Sequence, residues 1–240
     1  MGSLQGQVLG VTGAGGGLGQ ALTAAAAAAG MQVVRFGRRD ADYALDLADP
    51  AWGEAEAAAL VAAAAARAGP FDAWVNLAGA DILSEPWRSR PYADRLEYLW
   101  RVDVRGTMLL SRAVLPHLNP RGRPQILNVA WDRACTGMAG PFGELYAAAK
   151  AAIIGFSRSL ALSVGPRVRV NVLAPGWVRT RWADSLPEAR RRALAARMRA
   201  GRWQEPADLA AVIVALLAMP PDVFQGQVFY LDGGDVLGGG

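Results

Sequence analysis

A chain of 240 residues, 52% hydrophobic and 19% charged, can bury a substantial core and is too apolar to be disordered. Its one cysteine and one histidine, Cys135 and His117, exclude a disulfide framework, a cysteine zinc site and most histidine-based metal or triad chemistry. A net charge of +4 leaves an acidic ligand open, while the longest apolar runs are too short to cross a bilayer.

The elements follow in a regular alternation. "GQVLGVTG" (6–13) reads as a strand entering a turn, with neither the basic start nor the long apolar stretch of a signal peptide. "LGQALTAAAAAAG" (18–30) is a helix ended by Gly30, and "MQVVRFG" (31–37) is the next strand. A polar passage carrying "LDLAD" precedes an alanine-rich helix at about 51–68; "FDAWVNLAG" (71–79) is a strand. One long helix is predicted over 92–118, a strand over 124–130, a second long helix over 143–165 and a strand over 168–176. An Arg-rich segment, 181–203, leads to a helix over 206–219 and a closing strand in "QVFYLDGG". Near-continuous apolar strands alternating with helices imply an α/β, doubly wound parallel sheet with helices on both faces. No linker divides it, so residues 1–240 are expected to form a single domain, with its site at the carboxyl ends of the strands. A cytoplasmic location is the economical expectation.

The first turn, "TGAGGGLG" (12–19), sets Gly13, Gly17 and Gly19 between strand and helix. Glycines there let backbone amides approach a pyrophosphate at the helix N-terminus. No GK[ST] follows, so it is not a Walker loop. Where the second strand ends, an acidic residue would accept from the ribose hydroxyls of NAD. Arg38 and Arg39 instead offer guanidinium forks for a 2′-phosphate, which favours NADP(H) over NAD(H), although Asp40 lies beside them.

Lys150 is the single lysine among 25 basic side chains, and it follows Tyr146 by four residues in "YAAAK". On a helix the two share a face. An ammonium at about 4 Å, at an effective dielectric of ~20, is worth about 4 kcal/mol to a phenolate, or some three pKa units. That would bring a phenol toward working pH, and a compact ammonium can also reach ribose hydroxyls where a planar guanidinium would misalign.

With these motifs the chain resembles a short-chain dehydrogenase/reductase over nearly its whole length. "TGAGGGLG" matches the family's TGxxxGxG turn, including Thr12 and Leu18, and "LDL" places Asp46 and Leu47 at its adenine-contacting position. "NLAG", Asn76 to Gly79 with Ala78, resembles its NNAG motif. "PGWVRT" carries its PGxxxT through Pro175, Gly176, Val178 and Thr180. The resemblance implies a Rossmann-like fold, NAD(P)H as cofactor, Tyr146 as acid/base with Lys150 as its activator, and a homotetramer or homodimer.

Two positions depart from the pattern. The family serine that closes the fifth strand is replaced by Ala130, Trp131 and Asp132; losing one such donor costs on the order of 10²–10³ in rate if nothing replaces it. Trp131, with its indole N–H, is either the substitute donor or a pocket wall. Asp103 stands where the family has asparagine, whose role is exerted largely through its backbone carbonyl; an aspartate retains that carbonyl, and its charge is expected to attract Lys150.

The segment 181–203 is expected to be a substrate lid, with Trp182 and Trp203 in it and Trp177 and Trp87 nearby, either walling an apolar pocket or packing between subunits. An NADP(H)-dependent interconversion of a small-molecule carbonyl and alcohol is the leading expectation, and a 3-oxoacyl-carrier-protein reductase is one conceivable version. The alternative is a non-catalytic NADP-binding redox sensor or scaffold. The weakest reading is nucleic-acid binding through the basic stretch 188–202, whose bland explanation is a solvated helical face.

Overall fold

In the computed structural model, which describes residues 2–220 and 222–235, seven strands form one sheet in the order β3-β2-β1-β4-β5-β6-β7, every pairing parallel. The remaining residues of the expected domain 1–240 lie outside the described residues. The strands are β1 (Val8–Thr12), β2 (Gln32–Gly37), β3 (Tyr43–Ala44), β4 (Ala73–Asn76), β5 (Gln125–Val129), β6 (Arg169–Pro175) and β7 (Val228–Leu231). Alternate residues of each strand feed opposite layers. Val8, Phe36, Trp74, Ile126 and Val170 join one core, Leu9, Val11, Val75, Leu127 and Leu173 the other. The first layer is covered by α2 (Glu54–Ala68), α4 (Gly106–Val114) and α5 (Pro141–Val164); the second by α1 (Gly17–Ala28) and α8 (Pro206–Leu217).

A fully parallel sheet buried on both faces needs apolar residues at successive strand positions, and β1, β4 and β6 are buried at every residue. Helix α5 is long and apolar enough by composition to cross a membrane, but its apolar side chains serve the sheet: Leu145, Ala149, Ile153, Ile154, Leu160 and Ala161 are buried. A polar chain runs through the first layer. Trp74 Nε1 donates to Asn76 Oδ1 at 2.9 Å, Asn76 Nδ2 donates to Ser111 and Asn128, and Asn128 Nδ2 donates to Ser157 Oγ at 2.9 Å. These bonds tie β4, β5, α4 and α5 into one register-specific unit.

The expected long helix over 92–118 is interrupted. It runs as α3 (Tyr92–Leu99), a π-helical turn over Trp100–Arg105 and then α4, ending in a single 3₁₀ turn at Leu115–His117. The extra residue in that turn rotates the side chains that follow it, and Asp103 lies inside it, fully buried. Periodicity alone does not reveal such an insertion, because the helix continues on both sides.

Candidate active site

The strand order reverses between β1 and β4, and the crevice at the carboxyl ends of these strands is where an α/β sheet accepts a ligand. Gly13, at φ +69°, begins the turn; a Cβ there would lie 2.7 Å from Ala78 Cα. A Cβ on Gly19 would lie 2.3 Å from the Gly13 carbonyl oxygen, so only glycine lets the turn close onto the helix. Helix α1 has no side-chain cap at Gly16. Its first amides therefore have no intrahelical or side-chain acceptor and point toward the crevice with the positive end of the helix dipole. A pyrophosphate fits this cradle on donor chemistry and on space.

The crevice has a volume of about 440 Å³. Of the residues expected at the cofactor, Gly13, Gly17, Leu18 and Gly19 line it, with Arg38 and Arg39 at the end of β2. Asp46, Leu47, Ala78, Gly79, Val178 and Thr180 line it as well, and so do Asp103, Tyr146 and Lys150. Arg35 is held by Asp42 in a two-pronged ion pair, with contacts of 2.7 and 3.2 Å, and Arg38 and Arg39 are exposed cations facing the crevice at the end of β2.

Four expected cofactor residues sit differently. Thr12 is turned into the fold, where its Oγ1 accepts from the amides of Leu77 and Ala78 at 3.0 and 3.1 Å and fixes the β4 exit. Asn76 belongs to the buried amide chain between β4 and β5. Pro175 is the last residue of β6, and the Gly176 amide donates to Leu231 O at 3.1 Å. Residues that sequence reasoning did not single out also wall the crevice, namely Ala80, Asp81, Tyr98, Val129 and Arg181, and the expected pocket residue Trp182 lines it too. Ala80 and Val129 act through backbone carbonyls, for which a sequence carries no signal.

Around the tyrosine and the lysine the contacts form a ring. Tyr146 Oη donates to the Ala80 carbonyl at 2.8 Å, and the Ala80 amide donates to Asp103 Oδ1 at 2.6 Å. Asp103 Oδ2 lies 2.8 Å from Lys150 Nζ, which also donates to Val129 O at 3.2 Å. The expectation that Lys150 brings the phenol down toward neutrality is corrected here. Burial pushes the Tyr146 hydroxyl well above its ordinary value, and the charge of Asp103 pushes it further. The Lys150 ammonium is already balanced by the carboxylate it touches.

Trp131 occupies the serine position after β5, with its ring 6.1 Å from that of Tyr146 and inclined at 57°. Asp132 beside it is buried; its Oδ1 accepts from the Arg133 amide at 2.8 Å, while Oδ2 has no hydrogen-bond partner. Burial, aided by Asp232 and Asp235, pushes its carboxyl up to about 6.

The segment expected to form a lid, 181–203, folds as α6 (Arg181–Ser185) and α7 (Glu188–Ala195) over a small core of its own. Trp177 stacks on Trp182 at 5.6 Å, and Trp203 meets them edge-on at 5.7 and 6.2 Å, with its Nε1 donating to Arg191 O. Three of the four tryptophans thus pack on one another, with Trp182 presented to the crevice; Trp87 stacks on Tyr98 at 3.8 Å.

Residues 13–235 match the family model described as enoyl-(acyl carrier protein) reductase. The chain is 32% identical to the 3-oxoacyl-[acyl-carrier-protein] reductase FabG of Vibrio cholerae, over 97% of this chain and 98% of that one. It is 33% identical to the short-chain reductase protein NovJ of Streptomyces niveus, over 93% and 92%. Among solved structures, a short-chain dehydrogenase/reductase from Serratia marcescens superposes with a TM-score of 0.82 at 26% identity, covering 98% of this chain and 99% of that one. The ligand-free aldohexose dehydrogenase of Thermoplasma acidophilum, at 22% identity, shares the fold with a TM-score of 0.84, covering 98% and 96%.

Proposed function

Because the chain belongs to the short-chain dehydrogenase/reductase family and is an NAD(P)-dependent oxidoreductase, we propose that it interconverts a small-molecule carbonyl and its alcohol with NADP(H) as the preferred cofactor. The single observation that carries the reading is the shared crevice: the α1 amides, the exposed Arg38 and Arg39, and Tyr146 with Lys150 all open onto it.

The bound nicotinamide supplies or accepts the hydride. The rest is done by this chain. The α1 amides hold the pyrophosphate, and Arg38 and Arg39 hold a 2′-phosphate at the end of β2. Lys150 reaches the ribose side of the crevice, kept there by Asp103 and Val129 O. In the reductive direction the Tyr146 phenol releases Ala80 O and gives its proton to the carbonyl oxygen; in the oxidative direction its phenolate takes the alcohol proton. Trp131, its ring 6.1 Å from that of Tyr146, would flank the carbonyl site in the stretch where the family pattern has serine, and Trp182 lines the same crevice as Tyr146. We place the protein in the cytoplasm, as a homo-oligomer of one domain. The non-catalytic reading draws no support from relatives that are named as reductases and dehydrogenases.

Steady NADPH consumption with a panel of ketones, quinones and 3-oxoacyl thioesters tests the proposal. Turnover of at least one class is the expected result; tight NADPH binding with no turnover of any would restore the sensor reading.

A further inference from the structure

The ring that joins Tyr146, Ala80, Asp103 and Lys150 depends on the acid at position 103. Asp103 is 1% exposed; its Oδ1 accepts from the Ala80 amide at 2.6 Å, and its Oδ2 makes an ion pair with the Lys150 ammonium at 2.8 Å without an aligned hydrogen bond. Two donors converge on it. A carboxylate accepts at both oxygens, whereas an asparagine amide has one acceptor and one donor end, so it can serve the amide or the ammonium but not both. Resting on the reductase reading above, we propose that Asp103 is a charge-setting positioning residue that claims Lys150 and anchors the Ala80 loop on which the Tyr146 proton rests, so that the phenol keeps its proton until the charge at position 103 is removed.

Three titratable groups act on the Tyr146 hydroxyl, Asp103 from the π turn, Asp81 from the β4 exit and Tyr98 from α3, while Lys150, one turn along the same helix, is held by Asp103. From the β5 side it meets the uncharged ring of Trp131. The Ile82 amide favours the phenolate, and Asp103 touches Lys150 directly, so the lysine–aspartate pair presents little net charge to the phenol. Burial and Asp103 together keep the proton on. During reduction the hydride forms the new C–H bond, the carbonyl π electrons move to oxygen, and that oxygen takes the proton from Oη. The tyrosinate left behind is reprotonated from solvent.

The test is a pH titration of tyrosinate ultraviolet absorbance on the folded chain, with circular dichroism recorded at each pH. The component missing from Tyr146→Phe belongs to Tyr146. In Asp103→Asn that component should move down by about one pH unit or more, a tenfold increase in acid dissociation, while Asp103→Glu stays with the wild type. A Tyr146 component that becomes visible only in Asp103→Asn is the same downward shift. If Asp103→Asn does not fold, Asp103→Ser, smaller and equally uncharged, must shift the same way. An unmoved or raised titration in the uncharged variant overturns the inference. The reductase reading stands apart from this outcome, because it is judged on turnover.

Discussion

Lys150 Nζ lies 2.8 Å from Asp103 Oδ2, and both side chains are almost wholly out of solvent. Removing one partner of such a pair strands the other charge, at a cost of about 3–5 kcal/mol. Lys150→Met is therefore expected to lower Tm by roughly 10 °C in calorimetry. Lys150→Met combined with Asp103→Ala should lose less than the sum of the two single changes, because the stranded charge disappears with its partner.

The proposed preference for NADP(H) rests on two exposed guanidiniums, Arg38 and Arg39. Arg38→Ala and Arg39→Ala should each weaken NADPH binding by about tenfold, the worth of one charge-assisted hydrogen bond, and leave NADH nearly unchanged. Equilibrium fluorescence titration with both nucleotides reads the difference. Equal loss for both would move the discrimination elsewhere.

Asp132 makes stability depend on pH in an unusual sense. Its folded-state carboxyl is raised to about 6, above the ordinary unfolded value, so the native state holds the proton more tightly. The stabilisation is complete below the unfolded pKa and is lost as pH rises through about 6. Asp132→Asn removes that dependence. At pH 7 it should raise stability by about 2–3 kcal/mol and near pH 4 by almost nothing, in urea melts at the two values.

The indole cluster predicts where the fold opens first. Trp203 is packed against Trp177 and Trp182 in a small core apart from the sheet, so Trp203→Ala should loosen the lid without unfolding the domain. Trypsin should then cut among Arg190, Arg191 and Arg192 at least ten times faster, with the main thermal transition shifted by only about 1–2 °C. Parallel loss of the main transition would show that the lid and the sheet form one cooperative unit.

Much of this architecture is legible from the chain because it is written locally. Apolar runs such as "VLGVT" and "QILNV" alternate with helical stretches, and a parallel sheet covered on both faces is the arrangement that buries them. The glycine turn and the Tyr146–Lys150 spacing are legible for the same reason: each lies within a single turn or helix. What stays hidden depends on distant partners. The attraction of Asp103 for Lys150 is readable from charge, but the π turn that carries Asp103 to 2.8 Å from Lys150 Nζ is not. Thr12 and Asn76 match cofactor motifs as letters, yet their side chains are engaged inside the fold. The tryptophans near the lid read equally well as pocket or interface until their mutual packing is seen.

The most direct measurement is single-turnover NADPH oxidation by Tyr146→Phe against the wild type, with NADPH affinity determined alongside. The phenyl ring keeps the packing against Trp131 and removes only the hydroxyl. A fall of about 10²-fold or more in the hydride-transfer rate, with cofactor affinity within about twofold, is the predicted result. An unchanged rate would contradict the assignment of Tyr146 as the proton donor.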